Sequence, residues 1–512
     1  MKKAVSLVLA LILVLSLASC GAGGNAANTA APGKPGDRAS AFISDVIMQG
    51  NGLSDFDLKF LALEIGEENK VYSPLSIKYA LQMLAEGAAG DTRAQLDGVI
   101  GKYSARKYVN SANLSFANAL FVRDSFKDSL KSAYAERLKS AYDAELITDS
   151  FKTPDALNGW VKDKTLGLIP SIMDDLSALD YVLVNALAVD MEWNRQIQSE
   201  TGSYRAQINN ECFASGDPSW PLSYGVWVSP LMGSGYHRLQ FQGVKDPVSS
   251  VKIAAAANRY DIISALGEEN IRKTVLDEYA KYKAKGGWEY EPFDIEKYME
   301  DLKANYGKVS SSTDFTFLDD EHVKAFAKDL KTYDGVTLQY VGIMPKDMGL
   351  QAFIEASDAK SLDRIVSGLK PVEAGSFEDG ILTVIEGYIP MFSYDYELKL
   401  MEDLKAIGIK DVFDADKADL SGLSSVKTYI GAAVHKATID FSNDGIKASA
   451  ATALGGMGDA GPGFEYWFEV PVKRIDLTFD RPFLYLIRDK ATGEVWFAGT
   501  VYQPEKYQEP RW

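Results

Sequence analysis

Cysteine and histidine are nearly missing from this chain: two cysteines (Cys20 and Cys212) and three histidines (His237, His322 and His435) stand in 512 residues. So few cysteines exclude a disulfide-stapled scaffold, and no Cys/His spacing matches a zinc centre. Neither a GxSxG elbow nor an HExxH helix occurs, which removes two common hydrolase machineries. The stretch Gly456 to Gly461 matches the dinucleotide pattern GxGxxG. However, Pro462-Gly463 and an aromatic, strand-like run follow it where a nucleotide site needs a helix, so it reads as loop and no cofactor is implied. Positive charge is also short. The 54 Lys and Arg against 71 Asp and Glu leave a net charge of −17, which argues against nucleic acid or an anionic membrane surface as partner.

What is present is apolar and well patterned. With 46% hydrophobic and 11% aromatic residues the chain can build a large core. It opens with Lys2-Lys3 and the apolar run Ala4 to Leu17, a charged n-region and an h-region too short to favour a membrane-spanning helix. Leu17-Ala18-Ser19-Cys20 resembles a bacterial lipobox, in which cleavage before the cysteine leaves a lipidated N-terminus; the alternative is an ordinary secretory signal. Residues 1–19 are therefore expected to be a lipoprotein signal peptide and Cys20 the lipidation site. Residues 20–40, rich in Gly, Ala, Asn and Pro, are expected to be a flexible tether. The expected place is extracytoplasmic, held to a bacterial membrane surface by the lipid alone, with Cys212 left without a disulfide partner.

Helical periodicity covers Leu53–Glu64, Ser76–Glu86, Thr92–Ile100, Leu130–Tyr142 and Tyr396–Ile407. Strand-like runs lie at Val182–Val189, Thr337–Met344, Ile381–Glu386, Val434–Phe441, Asp476–Phe479 and Phe483–Arg488, the last forming a hairpin with Val495–Val501. A helix-rich first half and a strand-rich second half predict an α+β fold.

One segment reads as both strand and loop. Gly445, Ile446, Lys447, Ala448, Ser449, Ala450, Ala451 and Thr452 carry mostly small side chains that meet little resistance on entering a sheet, yet they run into the glycine-rich stretch Gly455–Gly463. The segment resembles the reactive-loop hinge of the serpins, a family of protease inhibitors. Further blocks resemble the family in family order: Asn69-Lys70-Val71-Tyr72-Ser73-Pro74-Leu75-Ser76 with Ala80 to Leu84; Ala117 to Phe121; Leu183 to Ala186 with Trp193; Ile343 to Lys346; Val434 to Ala437; and Arg481 to Arg488. The resemblance implies a serpin domain over 41–512. It also implies a single-use inhibitor of serine or cysteine proteases, monomeric and not an enzyme. Cleavage of the exposed loop would leave an acyl-enzyme, and the hinge would then enter the central sheet. It further implies that Ser73, Ser76, Asn185 and His435 form a polar cluster under that sheet, and that Trp193 sits where the hinge begins to enter.

Three hinge positions depart from the family pattern: Asn443 and Lys447 where Glu is usual, and Ile446 where Thr or Ser is usual. The family comparison also fails over an extra segment, read as an inserted lobe at 198–308, with a decorated surface loop as the alternative. A serpin-fold surface binding protein, with the insertion supplying the function, is the alternative reading. Counting from Gly445 places the scissile bond among Met457, Gly458, Asp459 and Ala460, whereas counting back from Arg481 places it near Pro471-Val472. At ~3.3–3.6 Å per residue the first choice gives a tether of roughly 50 Å, close to the diameter of about 55 Å expected for such a body. The aromatic run Phe464, Tyr466, Trp467 and Phe468 is then expected to be cut by chymotrypsin-like proteases without inhibition.

Overall fold

The computed structural model describes residues 7–18, 48, 50–64, 66–194, 204–206, 226–228, 237–257, 262–289, 291–305, 315–371, 381–441, 464, 466, 468 and 472–507. Helices α1 (Phe56–Leu63) and α2 (Pro74–Ala85) open the folded body. The start of α2 is fixed locally: the Ser73 side chain accepts from the Ser76 backbone N–H and Pro74 takes the first helical position. Every residue of α2 except Gln82 is buried, because the helix lies between two sheets. Lys78 on this helix forms an ion pair of 2.5 Å with Asp57 of α1, and both are fully buried.

The main sheet has the order β15 (Phe392–Leu398), β16 (Tyr429–Phe441), β1 (Leu7–Ala18), β5 (Tyr181–Met191), β3 (Leu114–Arg123) and β4 (Glu145–Asp149). Tyr181, Leu183, Leu187 and Val189 of β5 join the large core that also holds α2. The alternate residues Val182, Val184, Ala186 and Ala188 pack with Leu157 and Val161 of α5 (Asp155–Lys164) on the other face. Burial on both faces explains why β5 reads as a continuous apolar run. Helices α3 (Gly90–Ile100) and α4 (Ser132–Tyr142) flank this layer.

A second sheet runs β13 (Lys370–Pro371), β10 (Phe315–Asp319), β11 (Val323–Tyr333), β12 (Val336–Pro345), β18 (Phe483–Asp489), β19 (Val495–Val501) and β2 (Lys70–Tyr72). The third has the order β17 (Val472–Asp476), β14 (Leu382–Pro390), β9 (Val248–Ala257) and β8 (His237–Leu239), and β6 (Tyr204–Ala206) pairs with β7 (Val226–Val228). Helices α6 (Ile262–Leu266), α7 (Glu268–Ala284) and α8 (Ile295–Asn305) follow β9; α9 (Leu350–Ala356), α10 (Ala359–Gly368) and α11 (Leu400–Ala406) lie in the C-terminal half. Helices and sheets together make the α+β fold expected from the sequence.

Three local expectations change. Tyr396 to Leu398 finish the strand β15, and the helix begins only at Leu400, because Phe392–Leu398 alternates buried and exposed residues with period two. Asp476 closes β17 instead of opening a strand to Phe479; Leu477 and Phe479 are buried outside any strand. The segment 198–308 is not all lobe. Within it β9 pairs with β14 from Ser250↔Pro390 to Ala257↔Val384, so among the described residues α6 to α8 and the separate β6–β7 pair stand apart from the larger sheets. Replacing 260–308 by a short Gly/Ser link should therefore leave soluble, cooperatively unfolding protein, whereas removing 198–308 should not, since β14 would lose its neighbour. Equal yields of the two deletions would contradict this placement.

Candidate functional site

The centre of the main sheet is a slot one strand wide. Its walls are β5 and β16, and β1 fills it, antiparallel to both along nearly its whole length, from Val8↔Asp440 to Ala18↔Tyr429 on one side and from Leu7↔Met191 to Leu17↔Tyr181 on the other. Two strands that are each antiparallel to a third run parallel to one another. The occupant belongs to residues 1–19, the segment the sequence assigns to a leader. The wall β16 ends at Phe441, and a chain folding back from there runs in the same direction as β1. Gly445 to Thr452, Met457 to Ala460, Cys20 and Cys212 lie outside the described residues.

Beneath the slot four polar side chains are fully buried: Ser73, Ser76, Asn185 and His435. In register, Asn185 of β5 and His435 of β16 stand opposite the same residue of the occupant, Leu13. The Ser73 backbone N–H donates to His435 Nε2 at 3.1 Å, which places the ring proton on Nδ1. Asn185 Nδ2 donates to Asn118 Oδ1 at 2.8 Å, and Asn118 Nδ2 donates to the Tyr142 carbonyl at 2.8 Å. The structure thus joins Ser73, Ser76 and His435 in one group and gives Asn185 a different partner. Asn118 was missed as a member; its signal was an amide side chain within the mostly apolar strand Leu114–Arg123.

The cluster is incompletely satisfied with β1 in place. Ser76 Oγ, Asn185 Oδ1 and His435 Nδ1 are buried with no hydrogen-bond partner among the described residues. Each such atom costs roughly 1–3 kcal/mol, so the floor of the slot resists this arrangement locally while the ladders favour it. Trp193, just beyond β5, bridges to Leu330 and sets its ring edge-on to Phe441 at 5.8 Å and to Tyr340 at 6.1 Å. It is buried beneath the point where the chain leaves β16.

Burial holds the His435 imidazole down to about 3, from an ordinary value of 6.5. The unfolded chain therefore takes up this proton below pH 6.5 while the folded chain does not, and stability falls as pH drops from 6.5 towards 3. The slope is at most about 1.4 kcal/mol per pH unit. Denaturant unfolding at pH 7.5 and 5.0 should show the wild type losing about 2 kcal/mol more than His435→Gln. Parallel losses would remove His435 from the account.

The distal flank of the loop does not match the sequence expectation. Phe468 is buried, and Phe464 and Tyr466 are half-buried, against Ile271 and Val275 of α7 and Met299 and Leu302 of α8. These three aromatics are therefore not the open cutting sites expected of them.

A family model described as Serpin (serine protease inhibitor) matches residues 56–206 and 297–504. Among curated proteins, the chain is 25% identical over 460 residues to leukocyte elastase inhibitor of Bos taurus, covering 85% of this chain and 93% of that protein. It is 23% identical over 460 residues to glia-derived nexin of Homo sapiens, covering 85% and 88%. Among solved structures it resembles the thermophilic serpin tengpin in its native state, at 19% identity and TM-score 0.55, covering 92% of this chain and 96% of that one. Uncleaved ovalbumin aligns at 18% identity and TM-score 0.53, covering 90% and 100%. The match covers both walls of the slot, its polar floor and the hairpin β18–β19, and leaves out β1 and 207–296, the stretch that carries β7, β8, β9, α6, α7 and the first two residues of α8; the chain belongs to the serpin family.

Proposed function

We propose that this protein is a single-use inhibitor of serine or cysteine proteases that works by loop insertion. The observation that carries the reading is the slot. A twelve-residue strand lies between β5 and β16, running in the direction that the chain beyond Phe441 would take on folding back. With β1 gone, β5 and β16 would meet as a parallel pair, and inserting a strand would replace that pair by two antiparallel ladders, the slightly more stable arrangement per residue. Twelve positions counted from Gly445 end at Gly456, which leaves the candidate scissile residues Met457 to Ala460 at the far end of the slot. A protease acylated there would be carried the length of the sheet, and no turnover would follow.

We also propose that residues 1–19 are removed at Cys20 and that the lipidated cysteine displays the inhibitor outside the cytoplasmic membrane, as the leader pattern suggests. The departures at Asn443, Ile446 and Lys447 favour the second reading, a serpin-fold surface binding protein. The two separate on one experiment. Residues 20–512 with Cys20→Ser are incubated with a panel of serine and cysteine proteases, and complexes that survive boiling in detergent are expected with at least one of them. Cleavage of the loop by several proteases with no such complex would sink the inhibitor reading. For display, Cys20→Ser in the full chain should shift the protein from the membrane fraction to the soluble one.

A further inference from the structure

The lobe α6–α8 has a hydrophobic centre of its own, and that centre is not complete without residues from the other end of the chain. Ile271 and Val275 of α7 and Met299 and Leu302 of α8 are buried, together with Phe468. Four aliphatic side chains on two helices form too small a core to hold themselves together. Ile263, Leu266, Phe293, Ile295 and Tyr298 pack around them half-buried, and Phe464, Tyr466 and Phe468 close the cluster. They stand two residues apart, the spacing at which an extended segment presents one face. The Phe464 ring lies 5.0 Å from Phe293, 5.2 Å from Tyr279 and 5.5 Å from Tyr282. Tyr466 and Phe468 meet edge-on at 5.1 Å, and the Tyr298 hydroxyl donates to the Tyr466 backbone carbonyl at 2.9 Å. Across the helices, Arg272 bridges Glu268 and Glu296, which holds α7 and α8 in register for this packing.

We propose that this lobe is a specificity element of the inhibitor: it straps down the distal flank of the reactive loop at Phe464, Tyr466 and Phe468 and so decides which proteases can use the loop as bait. This rests on the inhibitor reading given above. A protease must seat several consecutive residues in extended form in its cleft, and a segment anchored at every second side chain cannot enter one. The bait then runs from Phe441 to Phe464. Between those two residues the sequence has no aromatic side chain and a single basic one, Lys447. Seating the strap removes the aromatic sites next to the bait, leaving small, acidic and a few aliphatic residues for the target to accept. The strap also reconciles the two counts of the scissile position, because Phe464, Tyr466 and Phe468, which the lobe holds, lie between Ala460 and Pro471.

Limited digestion with chymotrypsin, with new N-termini read by mass spectrometry, tests the strap without relying on inhibition. The probe is residues 20–512 with Cys20→Ser, alone and with Ala450→Arg. Cleavage after Phe464, Tyr466, Trp467 or Phe468 should be at least tenfold slower in these than in Phe293→Ala or Val275→Asp. Tyr298→Phe, which removes only one hydrogen bond, should fall between. Where Val275→Asp fails to fold, Phe293→Ala gives the reading. Cleavage at the aromatics as fast in the intact lobe as in Phe293→Ala overturns the strap even if covalent protease complexes form. Protected aromatics with no covalent complex from any protease keep the strap and overturn the inhibitor reading instead.

Discussion

A chain that keeps residues 1–19 should inhibit at least ~100-fold more slowly than one that begins at residue 20, when both carry Cys20→Ser and meet a protease known to form the complex. The expectation follows from where Leu7–Ala18 lies. It pairs with β16 and with β5 along the full slot, so a strand entering the slot must displace Leu7–Ala18 from both ladders. For the hinge to enter, β1 must first leave, which breaks both ladders at once. Each 1.36 kcal/mol of that opening slows the step tenfold, so an opening of only ~3 kcal/mol already gives the stated factor. Stopped-flow or discontinuous measurement of the second-order rate constant decides it. Equal rate constants would mean that the leader does not hold the slot when a protease has cut the loop.

Cutting the loop of the leaderless chain should raise its unfolding temperature by ~10 °C or more, and Ala450→Arg should abolish the rise. Insertion gives β5 and β16 a new partner along their length, and the polar floor a strand to pack against. Ala450 lies in the hinge segment that would be drawn in, and burying an unpaired guanidinium there costs several kcal/mol. The intact proteins should unfold alike, because the substitution lies in the loop before cleavage. Calorimetry at one scan rate on intact and nicked samples is the measurement. A nicked wild type that melts where the intact one does would show that nothing enters the slot.

The parts of this fold that were legible in the sequence are those whose signal is local. Ser73-Pro74 announces the start of α2 by its cap and its proline, and the runs that become β5, β12 and β18 are apolar along their length because both faces are covered. Elements that depend on distant partners were not legible. β9 looked like part of an insertion since its identity as a strand comes from β14, more than a hundred residues later. Tyr394-Asp395-Tyr396-Glu397-Leu398 suits a helix start as readily as a strand, and only pairing with β16 decides it. The polar cluster was named from resemblance, yet the Asn185 to Asn118 bond crosses between strands, and neither strand alone says that the two amides pair. The aromatic run after the loop looked exposed for the same reason, as its cover lies in α7 and α8.

The seating of Phe464, Tyr466 and Phe468 in the lobe also bears on the order of events during synthesis. Helices α7 and α8 leave the ribosome well before the residues that complete their core, and β5 waits longer still for β16. Contacts of such wide sequence separation form slowly, because the loop between them must close before they are rewarded. The main sheet therefore reaches its final form only once β16 has arrived, and the lobe centre only with the last tenth of the chain. A ribosome pause or a truncation shortly before Phe464 would leave the lobe helices with an open apolar face, and that nascent species, not the finished protein, is the one most in need of a chaperone.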